Sequence, residues 1–208
     1  MRHFQTCVPI VGLVCIASAS SADVLDLVLA RPADVEAGTV AAAAGVADAA
    51  SSGFGAEGTV DWWVGGIVGA EFGITNLAFA RGGVDWFVAT GFSIGLQADL
   101  GWAATEGRDG GMLVGVAPML RWHFLHRERW TLFAELGVGA AWTTVEIPAG
   151  GTRFNFTPQA GLGATWAIGD DWRLRAALGW YHMSNARTGN NNPGLDAVAV
   201  TIGIGRSF

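Results

Sequence analysis

A histidine and a serine stand two residues apart at the end of a strand-like run, at His182 and Ser184. An aspartate, Asp196, opens the next run after a turn rich in Asn and Gly. Side chains alternate along a strand with period two, so His182 and Ser184 point the same way. If the two runs form a hairpin, Asp196 returns beside them. Serine, histidine and carboxylate are the parts of a nucleophilic hydrolase. The imidazole takes the hydroxyl proton, and the acid holds the imidazole tautomer and stabilises its charged form. This chemistry also needs a donor for the oxyanion, and the turn offers Asn185, Asn190, Asn191, Asn192 and backbone amides. Spacing alone does not choose among them.

The chain that must position these groups has 208 residues, enough for one sizeable domain. It is 51% hydrophobic and 14% charged, with 31 Gly, 10 Trp and no Lys. A net charge of -6 gives a nucleic-acid partner no electrostatic support. The N-terminus has the layout of a signal peptide over residues 1–22. Arg2 and His3 come first, then an apolar core from Val8 to Ala17, then the small residues Ser20, Ser21 and Ala22. Both cysteines, Cys7 and Cys15, would leave with it, so the exported chain is expected to lack disulfides and thiolate metal ligands. Beyond the N-terminus no run of about 18 uninterrupted apolar residues argues for a membrane helix. Residues 23–57 are low in complexity, with Ala41 to Ala50 nearly all Ala, Gly and Val, and are expected to form a periplasmic extension.

From Gly58 onward the pattern is one of strands. Phe92, Ile94, Leu96, Ala98, Leu100 and Trp102 alternate with Ser93, Gly95, Gln97, Asp99 and Gly101. Comparable runs recur through residue 208, and two less regular ones near 59–71 and 75–87 bring the expected number of strands to eight. In each regular run the large apolar residues share one face, while Gly, Ala, Ser, Thr and ions take the other. A soluble barrel needs its bulk inside. A membrane barrel needs it outside against lipid and tolerates a polar interior. Tryptophans near strand ends (Trp86, Trp102, Trp122, Trp142, Trp166, Trp172, Trp180) fit an interfacial belt. The expectation is therefore an all-β fold: an eight-stranded antiparallel transmembrane β-barrel over residues 58–208, in the bacterial outer membrane. Tight connections near 88–91, 125–128 and 168–171 belong on the periplasmic side, and the longer ones near 105–111, 146–152 and 185–194 outside the cell. By parity His182, Ser184 and Asp196 then lie at the outer rim and face lipid, where polar groups are costly without a function.

The run His182-Met183-Ser184-Asn185-Ala186, followed by Asn192-Pro193-Gly194 and an acid at Asp196, resembles the PagL-type lipid A 3-O-deacylase family. The resemblance covers residues 58–208 in architecture, and its specific part is the C-terminal hairpin. It implies hydrolysis of the ester-linked acyl chain at the 3-position of lipid A, with no metal or organic cofactor. It further implies Ser184 as nucleophile, His182 as base, Asp196 as orienting acid and Asn192 as oxyanion donor. The partner implied is lipid A, or lipopolysaccharide, of the outer leaflet. A homodimer through the apolar wall is compatible with the pattern. One departure is the acid, since Asp196 stands where well-known members of the family carry the longer Glu.

Two other functions fit the same composition: a non-enzymatic barrel for adhesion or membrane stability, and a phospholipase or acyltransferase on a similar barrel. His123 and His126 read as polarity flanking a periplasmic turn. Glu71, Arg81, Asp85, Asp99, Arg121, Glu135, Arg173 and Arg175 read as an inward ion-pair network that fills the barrel.

Overall fold

A computed structural model describes residues 53–71, 75–105, 107 and 109–208. The expected signal peptide and most of the 23–57 extension lie outside the described residues. The described chain forms β1 (Val60–Glu71), β2 (Thr75–Ala89), β3 (Phe92–Thr105), β4 (Gly111–His126), β5 (Trp130–Thr143), β6 (Phe154–Ala167), β7 (Trp172–Met183) and β8 (Leu195–Ser207). Each strand pairs antiparallel with the next, and β8 closes on β1 from Asp61↔Ser207 to Ala70↔Val198, giving a closed barrel with the strands in sequence order. Closure removes both free edges, so the backbone groups are satisfied between strands, as hydrocarbon surroundings require.

The two faces separate as the alternation requires. Leu96, Leu100, Val114, Leu136, Val138, Leu162, Leu178, Val200 and Ile202 are exposed on the outer wall. Trp86, Trp122, Trp166 and Trp172 ring the short-turn end of that wall, and Trp102, Trp142 and Trp180 its long-loop end. Such an apolar band between aromatic girdles is the surface a bilayer selects.

Inside, Arg81 bonds Asp99 through two contacts of 2.7 and 2.8 Å. Arg121 reaches Glu135 (2.8 Å), Gln97 (3.2 Å) and Asp85, while Arg175 reaches Glu135 (2.7 Å) and Asp85 (3.5 Å). Arg175 also lies over the rings of Trp63 and Phe133. The inward ions thus form the expected network, with two differences. Arg173 packs its guanidinium 3.9 Å from the centre of the Phe54 ring, near the short-turn end. Glu71 lies at the opposite end, where its carboxylate accepts from the Asp196 backbone N–H at 3.4 Å. Parity sets the side a residue faces, but its height along the strand decides which partners it can meet.

Of the histidines near the β4–β5 turn, His123 faces inward as the alternation of its strand requires, and His126 differs by joining it there. Both are buried inside the barrel. The register between β4 and β5 shifts between His123 and Leu125, so an odd and an even residue both turn inward. His123 sits with Phe54, Phe87 and Phe133 at ring distances of 5.2–5.6 Å, and its Nδ1 lies 2.8 Å from Thr131 Oγ1. Phe54 itself is buried, and Gly55 accepts a backbone hydrogen bond from Gly91, so residues just ahead of β1 pack on this end.

Removing Arg121 would leave Asp85 and Glu135 to share Arg175 in a dry interior. Arg121→Met is expected to cost about 3–5 kcal/mol, because a buried charge loses its partner. Guanidinium unfolding in phospholipid vesicles measures this. A loss under about 1 kcal/mol, the size of an exposed pair, would show that the interior is wetter than the packing implies.

Candidate active site

The β7–β8 hairpin sets His182 directly opposite Asp196, the last but one pair of the ladder before the loop. Opposed Cβ atoms lie about 5 Å apart. The imidazole and carboxylate therefore meet without bending either strand, and His182 Nδ1 lies 3.0 Å from Asp196 Oδ1. The pair stands on the outer wall, with the histidine side chain 22% exposed and the aspartate 59%. A carboxylate can only accept, so this contact makes Nδ1 the protonated nitrogen and leaves the Nε2 lone pair free. A Cβ at Gly194 would stand 3.2 Å from His182 Cε1 and 3.9 Å from Nε2, so the loop closes down beside the free edge of the ring.

Ser184 is placed differently. The β7–β8 ladder ends at Met183, while Ser184 continues the β6–β7 register by bridging Phe156 at the start of β6 through two backbone hydrogen bonds of 2.7 and 3.1 Å. It is 9% exposed, so the loop and β6 cover a residue that parity alone sends to lipid. Among the described residues its hydroxyl bonds no side chain, His182 included. The structure brings together the histidine and the acid, and sets the serine two residues along the same face without a hydrogen bond to the ring. Such contacts often tighten only when substrate arrives.

The loop after Ser184 is built around Asn185, which is 1% exposed. Its Nδ2 donates to Asn191 O at 2.7 Å, its Oδ1 accepts from Arg187 N at 2.9 Å, and its carbonyl accepts from Thr188 N and Oγ1. These bonds hold Ala186 and Arg187 in the left-handed region, at φ of 51° and 64°. Asn191 Nδ2 is likewise committed, to Gly150 O at 3.0 Å. Asn192 uses only its oxygen: Oδ1 accepts from Asn185 N at 3.0 Å. A backbone N–H must meet an oxygen, so this bond turns the Asn192 Nδ2 group outward as an uncommitted donor. Of the four asparagines in the turn, Asn185 spends its amide N–H group on the loop itself and Asn191 on the connection between β5 and β6. Asn190 and Asn192 remain as side-chain donors among the described residues.

One member of the cluster carries no signal as such in the sequence. Trp180 Nε1 donates to Asp196 Oδ1 at 2.7 Å, and its ring stacks on His182 with centroids 5.5 Å apart and planes 29° apart. Trp180 looks like any belt tryptophan until the register places Asp196 diagonally across from it, within reach of a long aromatic side chain.

Asn185→Ala deletes both side-chain bonds of the hub. The expected result is local loosening by roughly 1–3 kcal/mol, the cost of leaving buried polar groups unmet. Hydrogen exchange would report faster exchange in residues 185–192 with β7 and β8 unchanged. Unchanged loop protection would show that another contact holds it.

The sequence model of the family described as "Lipid A 3-O-deacylase (PagL)" matches residues 54–205, which take in the whole barrel but the last residues of β8. Among solved structures, the outer membrane enzyme PagL shares 21% identity with a TM-score of 0.51, covering 68% of this chain and 97% of that one. The N-terminal barrel domain of Pseudomonas aeruginosa OprF is 12% identical over 73% of this chain and 98% of its own, with a TM-score of 0.48. Ail of Yersinia pestis is 14% identical over 73% and 99%, also at 0.48. No curated protein matches. The likeness to the PagL structure speaks for the fold, while the family match spans most of the chain and includes the hairpin with His182, Ser184, Asn192 and Asp196. On that match, the chain belongs to the lipid A 3-O-deacylase (PagL) family.

Proposed function

We propose that this chain is a serine esterase of the bacterial outer membrane that removes the ester-linked acyl chain from the 3-position of lipid A. The observation that carries the proposal is the His182–Asp196 hydrogen bond on the outer wall, next to Ser184 and at the long-loop end. A carboxylate there is costly in structural terms, and its orientation of an imidazole gives it a use. Membership in the family adds the substrate class. Lipid A is itself a membrane lipid, so its acyl ester lies at the height of this rim, and the apolar wall below can hold the chain without a deep pocket.

In the proposed reaction His182 Nε2 takes the proton of Ser184 Oγ as Oγ bonds to the ester carbonyl carbon. The carbonyl oxygen becomes an oxyanion and accepts from Asn192 Nδ2. Collapse breaks the bond to the sugar 3-oxygen, which leaves with the proton from the imidazolium. Water then attacks the acyl-serine carbonyl, with His182 again as base, and frees the 3-hydroxy fatty acid. Asp196 stays ionised throughout and stabilises the imidazolium. The residues present complete this cycle without a metal or organic cofactor. Residues 1–22 are proposed to direct export, and residues 23–57 to remain on the periplasmic side.

The test is an assay of the solubilised protein against purified lipid A and, separately, against phospholipids. Release of a 3-hydroxy fatty acid from lipid A alone is expected. Release from phospholipids, or transfer of an acyl chain to an acceptor, would assign a phospholipase or acyltransferase instead.

A further inference from the structure

Trp180 meets both members of the histidine–acid pair at once, and its two contacts differ in kind. The indole N–H donates to the same carboxylate oxygen that His182 Nδ1 bonds, at 2.7 and 3.0 Å respectively. The indole plane lies against the imidazole, 5.5 Å between centroids. Asp196 needs such support. Its side chain is 59% exposed on the wall, and a short carboxylate has few partners there. A hydrogen bond to an ionised acceptor is among the stronger ones, more so where water is scarce. A belt tryptophan satisfies its N–H toward the headgroups in any case. Here that donor is spent on a protein carboxylate, an arrangement that anchoring alone does not require.

We propose that Trp180 is a positioning residue for the deacylation: its N–H fixes the Asp196 carboxylate while its ring plane fixes the His182 imidazole. The inference rests on the function proposed above. Trp180 touches no reacting atom and acts through the pair. With two donors converging on Oδ1, the carboxylate is held in one rotamer, and the stacked ring limits rotation of the imidazole. His182 Nε2 is thereby held at the edge of the ring that faces Gly194.

Two measurements test this. The first is a kinetic cycle on the solubilised protein with lipid A, using Trp180→Phe, Asp196→Ala and the double variant. Phenylalanine keeps an apolar ring in the wall, removes the donor and leaves a smaller ring beside the imidazole. Trp180→Phe is expected to lower kcat roughly 10- to 100-fold, the weight of a hydrogen bond to a charged group, with KM little changed. In the Asp196→Ala background the same change should have no further effect, because the two act as one unit. Trp142→Phe, another tryptophan at the long-loop end, should leave kcat unchanged. An unchanged kcat in Trp180→Phe, or an equal loss in both backgrounds, would overturn the proposal and leave Trp180 as an anchor.

The second measurement does not depend on turnover. In a proton–nitrogen correlation spectrum of the indole groups, the Trp180 signal is assigned by its loss in Trp180→Phe. It should move and exchange faster with solvent in Asp196→Ala, while the other tryptophans hold still. A Trp180 signal that ignores Asp196→Ala would overturn the proposal even if the enzyme is active. A signal that responds in a protein with no deacylase activity would instead place the failure with the proposed function.

Discussion

Ser184→Ala is expected to abolish release of the 3-hydroxy fatty acid, with kcat falling by about 10⁴-fold or more while the barrel stays folded. The size follows from the role, since removing a nucleophile leaves only binding and oxyanion stabilisation, and catalytic groups that act together fail together. Substituting His182 as well should therefore add little to the loss. The folding half follows from the structure. Ser184 is held by backbone bonds to Phe156, and among the described residues its hydroxyl bonds no side chain, so alanine removes nothing the fold uses. Heat-modifiable gel migration and vesicle unfolding should match the parent. Activity within about tenfold of the parent would remove Ser184 from the mechanism, because no surviving water-based route reaches that rate.

Asp196→Asn carries the second large effect, a fall in kcat of about 10²- to 10⁴-fold. Asparagine keeps the shape and an oxygen that can still accept from Trp180 and His182, so the hairpin should not change. It loses the charge that stabilises the imidazolium, and it can present an amide donor to Nδ1 and so select the wrong tautomer. Asp196→Glu, which lengthens the acid by one methylene, should retain activity to within about tenfold, since the charge survives and only its reach changes. Kinetics of the three proteins on lipid A would check both statements. Asparagine behaving like aspartate would mean that the carboxylate serves only the local fold, through its bonds to His182 and Trp180.

The barrel was legible because each strand writes its two faces separately, and because the bulk of every regular run fell on the side facing outward. Leu96, Leu100 and Trp102 against Gln97 and Asp99 already state which side meets lipid, and the structure exposes and buries them accordingly. The opposition of His182 and Asp196 was legible too, since a hairpin with its loop at 184–194 leaves little freedom of register. Four features were not. His126 turned inward because a bulge broke the alternation that placed it. Ser184 keeps the face that parity gives it, but its burial, at the point where pairing with β8 ends and pairing with β6 goes on, is not written in the alternation. The asparagines of the turn are alike by type, and only the hydrogen bonds separate Asn185, which builds the loop, and Asn191, which ties it to Gly150, from Asn192, whose amide N–H groups meet no acceptor among the described residues. Trp180 was hidden in plain composition: its indole reads as belt material, and its link to Asp196 runs diagonally across the ladder, where no pattern along one strand can register it.

These points bear on substrate approach. The His182–Asp196 pair faces the acyl region, while Ser184 sits under the loop and the start of β6. An ester drawn toward Ser184 would pass beside Gly194, where only a hydrogen separates the loop backbone from the imidazole edge. The proposed mechanism gives this loop two roles, the oxyanion donor at Asn192 and a narrowing of the entry at Gly194.

The account is tested most directly by mass spectrometry of lipid A from cells whose outer membranes hold equal amounts of the parent chain or of its Ser184→Ala variant. The account predicts lipid A lighter by one 3-hydroxyacyl group with the parent, and intact lipid A with the variant. Loss of the acyl group with both proteins would contradict the assignment of the nucleophile. Intact lipid A with both, joined to no release from lipid A by the solubilised parent, would contradict the activity itself.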